Sequence, residues 1–220
     1  MDELILLRHG ETEWSRDGRH TGRTDIPLTP KGEEQARALA SALHGEDFAL
    51  VLVSPASRAR RTAELAGLTR YEIDPDLWEW DYGGYEGIST PDIRKGRPGW
   101  YLWRDGVVPG DADHPGESME QVAERADKVI ARVLQVEGKV ALVAHGHFLR
   151  VLTARWLGLP PEGGRHFKLD TGTVSVLGFE REEHAVARWN APVTGAPVTG
   201  APVTGAPVTG APVTGAPKTV

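Results

Sequence analysis

Leu4-Ile5-Leu6-Leu7-Arg8-His9-Gly10-Glu11-Thr12 decides how the rest of the chain is read. Four consecutive apolar residues with no polar alternation describe a strand buried on both faces, the kind found inside a parallel sheet covered by helices. An arginine and a histidine then stand just past its carboxyl end, where open α/β sheets bind their ligands. A guanidinium beside an imidazole suits a cluster of anionic oxygens, and an unprotonated imidazole can attack phosphorus. The same residues would also serve as ordinary loop residues closing a core strand.

The pattern recurs downstream. Leu50 to Val53 and Val140 to Ala144 are two more continuous apolar runs, and Tyr71 to Ile73 is a short third candidate. Thr29 with Pro30 starts a helix whose apolar stripe is Ala36, Leu39, Ala40 and Leu43. Residues 58 to 66 form a shorter helix before Gly67. Ser118 with Gln121 is a capping box opening a helix with Val122, Ala126, Val129, Ile130 and Val133 on one face, and Phe148 to Leu157 is another helix. Thr173 to Phe179 and Ala185 to Trp189 close the domain as β-rich segments. This order predicts an α/β fold, a three-layer α/β/α sandwich with a mainly parallel central sheet.

Parallel strands present their carboxyl ends at one edge. Val143-Ala144-His145-Gly146 would therefore bring His145 towards His9, with Ser54-Pro55 at the same edge and Arg58 on the first turn of the next helix, aimed with the helix amino terminus at an anion. Arg61, one turn on, reads equally as a surface charge.

At Asn190 the composition changes. Ala-Pro-Val-Thr-Gly repeats five times from Ala191 to Gly215, and a proline in every repeat resists helix and central strand. The expected division is a catalytic domain over residues 1 to 190 and a low-complexity, disordered tail over 191 to 220. The 220-residue chain is long enough for one well-buried core, and zero cysteines exclude disulfides, thiolate nucleophiles and thiolate metal sites. A net charge of -6 argues against general affinity for nucleic acid. No apolar run approaches a membrane span, and Met1-Asp2-Glu3 lacks the basic flank of a signal peptide, so a cytoplasmic setting is expected.

Four segments together resemble the histidine phosphatase superfamily, the phosphoglycerate mutase-like fold. They are Leu7-Arg8-His9-Gly10-Glu11-Thr12; Ser54-Pro55-Ala56-Ser57-Arg58-Ala59 with Thr62-Ala63; Leu77-Trp78-Glu79-Trp80-Asp81-Tyr82-Gly83 with Glu86-Gly87; and Val143-Ala144-His145-Gly146. The resemblance implies that His9 is the nucleophile, that Arg8, Arg58 and His145 hold the phosphoryl group, and that Glu79 is the proton donor. It also implies that Thr21 and Gly22 approach the phosphate. Glu11, Trp14, Arg16, Arg23 and Tyr85 are expected to meet the substrate body, and His147 to act directly or through a neighbour. Ser15 departs from the asparagine usual in the mutases. The stretch from Glu79 to Gly87 with His145 to Phe148 is most similar to small bacterial acid phosphatases of broad specificity.

The expected activity is phosphomonoester hydrolysis on small phosphorylated metabolites by a monomer or homodimer, with no metal and no cofactor. Mutase-type phosphoryl transfer is the alternative. It is disfavoured because no adjacent arginine pair follows the Glu79 motif before Ser118. A non-catalytic phosphate-binding module would be expected to lack His9 or Glu79, and a dinucleotide site would need a Gly-x-Gly-x-x-Gly run that is absent after the first strand. In residues 78 to 116, read as a lid over the site, Tyr85, Trp100 and Trp103 suit an apolar or sugar-like leaving group, whereas Arg94, Lys95, Arg97 and Arg104 suit a second negative charge. The sequence leaves that choice open.

Overall fold

The alternation within the first strand shows how the layers form. In the computed structural model, which describes residues 1–193, Leu4 and Leu6 of β1 (Leu4–Arg8) enter one apolar cluster while Ile5 and Leu7 enter another on the opposite face. The same division holds along β4 (Lys139–Ala144), where Val140, Leu142 and Ala144 face one way and Ala141 and Val143 the other. A sheet with two apolar faces must be covered twice, and each buried leucine or valine adds about 1.5–3 kcal/mol when removed from water.

The cover comes from the amphipathic helices. Helices α2 (Pro30–Ala42) and α3 (Ser57–Leu65) pack on the Ile5 face, and α6 (Met119–Val133) and α7 (Gly146–Trp156) on the Leu4 face. Thr29 caps α2 by accepting from the Gly32 N–H, and Ser118 with Gln121 forms a capping box on α6. Three short helices complete the set: α1 (Glu13–Arg16), α4 (Thr90–Gly96) and α5 (Leu102–Asp105).

The sheet holds β1, β2 (Phe48–Val53), β3 (Glu72–Ile73), β4, β5 (Thr173–Glu180) and β6 (Glu183–Pro192) in the order β3-β2-β4-β1-β5-β6. Neighbours from β3 to β1 are parallel, and β5 and β6 are antiparallel. Arg8 pairs with Ala144 and Val53 with Val143, so the residues following β1, β2 and β4 emerge side by side. The His9 N–H donates to the Ala144 carbonyl at 3.1 Å and the Ser54 N–H to the Val143 carbonyl at 3.0 Å.

The end of the sheet corrects the expected boundary. Strand β6 runs through Ala191 and Pro192, which pair with Val174 and Thr173, and Val193 packs against the α2–α3 face. Proline is tolerated there because β6 is an edge strand. The expected disorder of the remaining repeats lies outside the described residues. A chain ending at Val193 is expected to melt within a degree or two of the full-length protein, whereas one ending at Asn190 should melt several degrees lower through loss of the β5–β6 pairs. Equal melting temperatures for the two truncations, read by circular dichroism, would contradict a structural role for Ala191 and Pro192.

Candidate active site

His9 is 5% exposed, and its Nδ1 lies 2.7 Å from the Gly10 carbonyl. A carbonyl only accepts, so Nδ1 carries the proton and Nε2 keeps its lone pair. Gly10 makes this geometry possible because a Cβ there would sit 2.2 Å from the Gly32 carbonyl oxygen, at the start of α2. The Gly10 N–H in turn donates to Thr62 Oγ1 at 3.1 Å, tying the loop to α3.

Around His9 stand two guanidiniums and a second imidazole. Arg58, fully buried on the first turn of α3, donates to the Thr24 carbonyl at 3.0 Å and the Gly22 carbonyl at 2.9 Å. Arg8 donates to the Leu169 carbonyl, and its guanidinium lies over Gly146 so closely that a Cβ there would come within 3.1 Å of Cζ. The His145 ring lies 5.1 Å from that of His9, centroid to centroid. Its Nε2 is 2.7 Å from Ser54 Oγ, which also accepts from the Ala56 N–H at 3.4 Å. With the Ser54 hydroxyl donating to Nε2, the ring proton is on Nδ1, an assignment made from the hydrogen-bond pattern.

Among the described residues, four buried side-chain polar atoms have no hydrogen-bond partner: Arg8 Nε, Arg58 Nε, His145 Nδ1 and Asp81 Oδ2. The first three are donors belonging to the residues around His9. Buried donors are normally satisfied, so this set has the chemistry to hold an anion. Asp81 Oδ2 lies 3.5 Å from Arg23 Nε, long for a hydrogen bond but within ion-pair reach.

Glu79 belongs to no regular element, and its position comes from its neighbours. Arg125 on α6 binds Glu117 through two nitrogens at 2.8 and 2.9 Å and donates to the Asp76 and Trp78 carbonyls at 2.6 and 2.9 Å, clamping the segment before Glu79. The Glu79 carboxylate accepts from the Trp80 and Phe148 N–H groups on Oε1 at 2.9 and 2.8 Å, and from the His147 N–H on Oε2 at 3.0 Å. It is thereby fixed to the amino terminus of α7, one residue from His145.

Of these groups, Arg8, His9 and Glu79 line a cavity of about 400 Å³ together with Gly146, His20, Thr21, Tyr82, Trp100, Trp103 and Arg150, whereas Arg58 and His145 are fully buried and do not line it. Thr21 lines it. Gly22 does not: its N–H is taken by the Glu86 carboxylate at 2.9 Å, and its part is to orient Arg58 through its carbonyl. Glu11, Trp14, Tyr85 and Arg16, all expected at the substrate, are engaged elsewhere. Glu11 accepts from Thr29 and Lys31, both at 3.0 Å, and latches the start of α2. Trp14 packs on Gly87, and the Tyr85 hydroxyl accepts from Arg97 at 2.7 Å. Arg16 pairs with Asp17, and Arg61 pairs with Glu33 and Glu64 on the surface. His147 lines the cavity with Nδ1 2.6 Å from the Tyr82 hydroxyl.

Burial, then the charges of Arg58 and Arg8, hold the His9 imidazolium form well below the usual histidine range. Burial acts first on His145 and His147 too, in the same direction, and brings His20 to about 4. These rings stay neutral in the folded protein, while the unfolded chain takes up protons below about pH 6.5. Unfolding therefore gains protons there, and stability must fall as pH drops, by on the order of 3 kcal/mol for His20 alone between about pH 6.5 and 4. The melting temperature in phosphate-free buffer should decline steadily over that window. A constant or rising value would show that the rings are protonated in the fold.

A family model for the histidine phosphatase superfamily (branch 1) matches residues 4–192. The chain belongs to the histidine phosphatase superfamily. It is 46% identical over 182 residues to an acid phosphatase of Mycobacterium tuberculosis, covering 80% of this chain and 86% of that protein. It is 36% identical over 189 residues to sedoheptulose 1,7-bisphosphatase of Saccharomyces cerevisiae, covering 70% and 67%. The solved structure of an open reading frame product from Mycobacterium tuberculosis superposes with a TM-score of 0.79 at 42% identity, covering 89% of this chain and 99% of that one. The fold is thus that of the superfamily, and the protein is an enzyme of the phosphoric monoester hydrolase class. Among the described residues no helix is long and apolar enough to cross a membrane.

Proposed function

We propose that the protein is a metal-independent acid phosphatase that hydrolyses small phosphomonoesters through a phosphohistidine on His9. The supporting observation is the pairing of a free Nε2 lone pair on a neutral His9 with three unpartnered buried donors, Arg8 Nε, Arg58 Nε and His145 Nδ1. The nucleophile and the anion holders are thus distinct atoms. Arg8, Arg58 and His145 bear on the phosphoryl oxygens, whose charge is stabilised by fixed donors rather than by a metal.

In the first step His9 Nε2 attacks phosphorus, the P–O ester bond breaks, and Glu79 gives its proton to the departing alkoxide. Oε2, which accepts a single backbone hydrogen bond, is the oxygen suited to carry that proton. In the second step the Glu79 carboxylate takes a proton from water, the water oxygen attacks phosphorus, and the P–N bond breaks. Inorganic phosphate leaves and His9 is neutral again.

Hydrolysis is favoured over mutase-type transfer because no adjacent arginine pair lies between Gly83 and Ser118; Arg104 there is followed by Asp105 and pairs with it at 2.7 Å. A panel of sugar, nucleotide and aryl phosphates should be hydrolysed at the same rate with and without EDTA, with inorganic phosphate as product and vanadate inhibiting. Dependence on Mg²⁺, or conversion of 3-phosphoglycerate mainly to 2-phosphoglycerate when traces of the bisphosphate are supplied, would overturn the proposal. A cytoplasmic enzyme, monomeric or homodimeric, fits the cysteine-free composition.

A further inference from the structure

Arg58 is aimed by a loop as well as by its own helix. Its Nη1 donates to the Thr24 carbonyl at 3.0 Å and its Nη2 to the Gly22 carbonyl at 2.9 Å, which leaves Nε as the unpartnered donor. A guanidinium is a planar fork that turns as one body, so a shift of either carbonyl re-aims Nε.

Three side chains hold this loop. The Glu86 carboxylate accepts from the Gly22 and Thr24 N–H groups at 2.9 and 3.1 Å, and Asp25 accepts from the Ser57 N–H and hydroxyl at 2.9 and 2.8 Å. The third is His114, from the irregular segment between α5 and α6, whose Nε2 lies 3.1 Å from the Thr24 hydroxyl. Thr24 is therefore a junction: its N–H engages Glu86, its hydroxyl His114 and its carbonyl Arg58.

The His114 ring is itself fixed. Asp111 Oδ1 accepts from the Asp113 N–H at 3.0 Å and the His114 N–H at 2.8 Å, and lies 3.1 Å from His114 Nδ1. A carboxylate only accepts, so Nδ1 carries a proton and Nε2 of the neutral ring accepts from the Thr24 hydroxyl. A protonated ring would donate to the same oxygen, so the contact holds in either charge state. Gly110 permits the turn, since a Cβ there would lie 2.3 Å from the His114 carbonyl oxygen. The Gly84 N–H donates to the Val108 carbonyl at 2.8 Å and the Glu117 N–H to the Asp81 carbonyl at 3.0 Å, anchoring the segment on both sides of His114. Both ring nitrogens are spent on Asp111 and Thr24, so His114 has none left for a ligand.

We propose that His114 is a positioning residue for phosphoryl binding: through the Thr24 hydroxyl it holds the carbonyl that orients Arg58, and so strengthens the grip on the phosphoryl group without touching it. This rests on the phosphatase reading above. The effect bears on the phosphoryl group and is indifferent to the alcohol it is esterified to.

The test combines calorimetric binding of inorganic phosphate with kcat/KM for p-nitrophenyl phosphate and a sugar phosphate. His114 is partly exposed, so its replacement leaves the core intact. His114→Ala should weaken phosphate binding and lower kcat/KM roughly 3- to 10-fold, the worth of one hydrogen bond, by the same factor for both esters. Thr24→Val should do the same, and the double variant should be no worse than either single one. His114→Gln, whose amide can reach the hydroxyl, should recover most of the loss. In an Arg58→Lys background, where the fork is gone, His114→Ala should have almost no further effect. Unchanged phosphate affinity in His114→Ala, additive losses in the double variant, or a full loss in the Arg58→Lys background would each overturn the proposal. So would a loss confined to one ester, since His114 would then brace only the leaving-group side. The phosphate titrations judge the proposal even if neither ester is hydrolysed, a result that would count against the hydrolase reading alone.

Discussion

Glu79→Gln is expected to slow hydrolysis of sugar phosphates by roughly 10²- to 10⁴-fold, the usual worth of a positioned general acid. The amide keeps the shape of the carboxyl group and, with its oxygen in the place of Oε1, still accepts from Trp80 and Phe148; only the single contact from the His147 N–H to Oε2 is lost, so the start of α7 should hold. What disappears is the transferable proton. An alkoxide leaving group needs that proton, whereas an activated aryl oxide departs without much of it. Pre-steady-state phosphorylation should therefore fall far less with p-nitrophenyl phosphate than with a sugar phosphate. Equal losses for the two ester types would remove Glu79 from the proton-donor role and turn attention to Asp81, the buried carboxylate two residues away.

Removal of His9 should have the larger effect. His9→Ala is expected to lower turnover by roughly 10⁴- to 10⁶-fold for every ester, because the covalent route is lost and no neighbouring group is placed to replace it. His145 is the nearest imidazole, but its Nε2 is engaged with Ser54 and its protonated Nδ1 is a donor. The same substitution removes one ring that resists protonation in the fold, so the variant should lose less stability than wild type as pH falls below about 6.5. Turnover within tenfold of wild type would move the nucleophile elsewhere.

The parts of this molecule legible in its sequence are those with a period or a cap. The continuous runs at Leu4, Leu50 and Val140 gave strands, Thr29 with Pro30 and Ser118 with Gln121 gave helix starts, and together they placed Arg8, His9, Arg58 and His145 at one edge. Helices α1, α4 and α5 span 4, 7 and 4 residues, too short for an apolar period to develop. The position of Glu79 was legible only through the family resemblance, since it lies in an irregular segment.

Proximity in sequence misled at Glu11, Trp14 and Tyr85. Each stands near a motif residue, yet each packs onto a neighbouring element. The converse failure is Arg150, which follows the His145 to Phe148 segment on the same helix, was not singled out in the sequence, and is delivered to the cavity by α7. Arg125 left a readable signal, because it falls within the apolar stripe between Val122 and Val129, where an unpaired cation would be costly. The composition break at Asn190 missed two strand residues because pairing with Thr173 and Val174 outweighs the propensities of Ala191 and Pro192.

The central claim, a covalent phosphoryl group on His9, is tested by acid-unstable adduct trapping. Enzyme mixed with a labelled phosphomonoester and quenched in alkali within milliseconds should retain up to one phosphate per chain, stable to base and lost on mild acid treatment, as a phosphoramidate requires. Peptide mapping should place it on the segment containing His9, and His9→Ala protein should carry none. Label on a peptide containing His145, or rapid turnover with no trapped phosphate at any time point, would contradict the account.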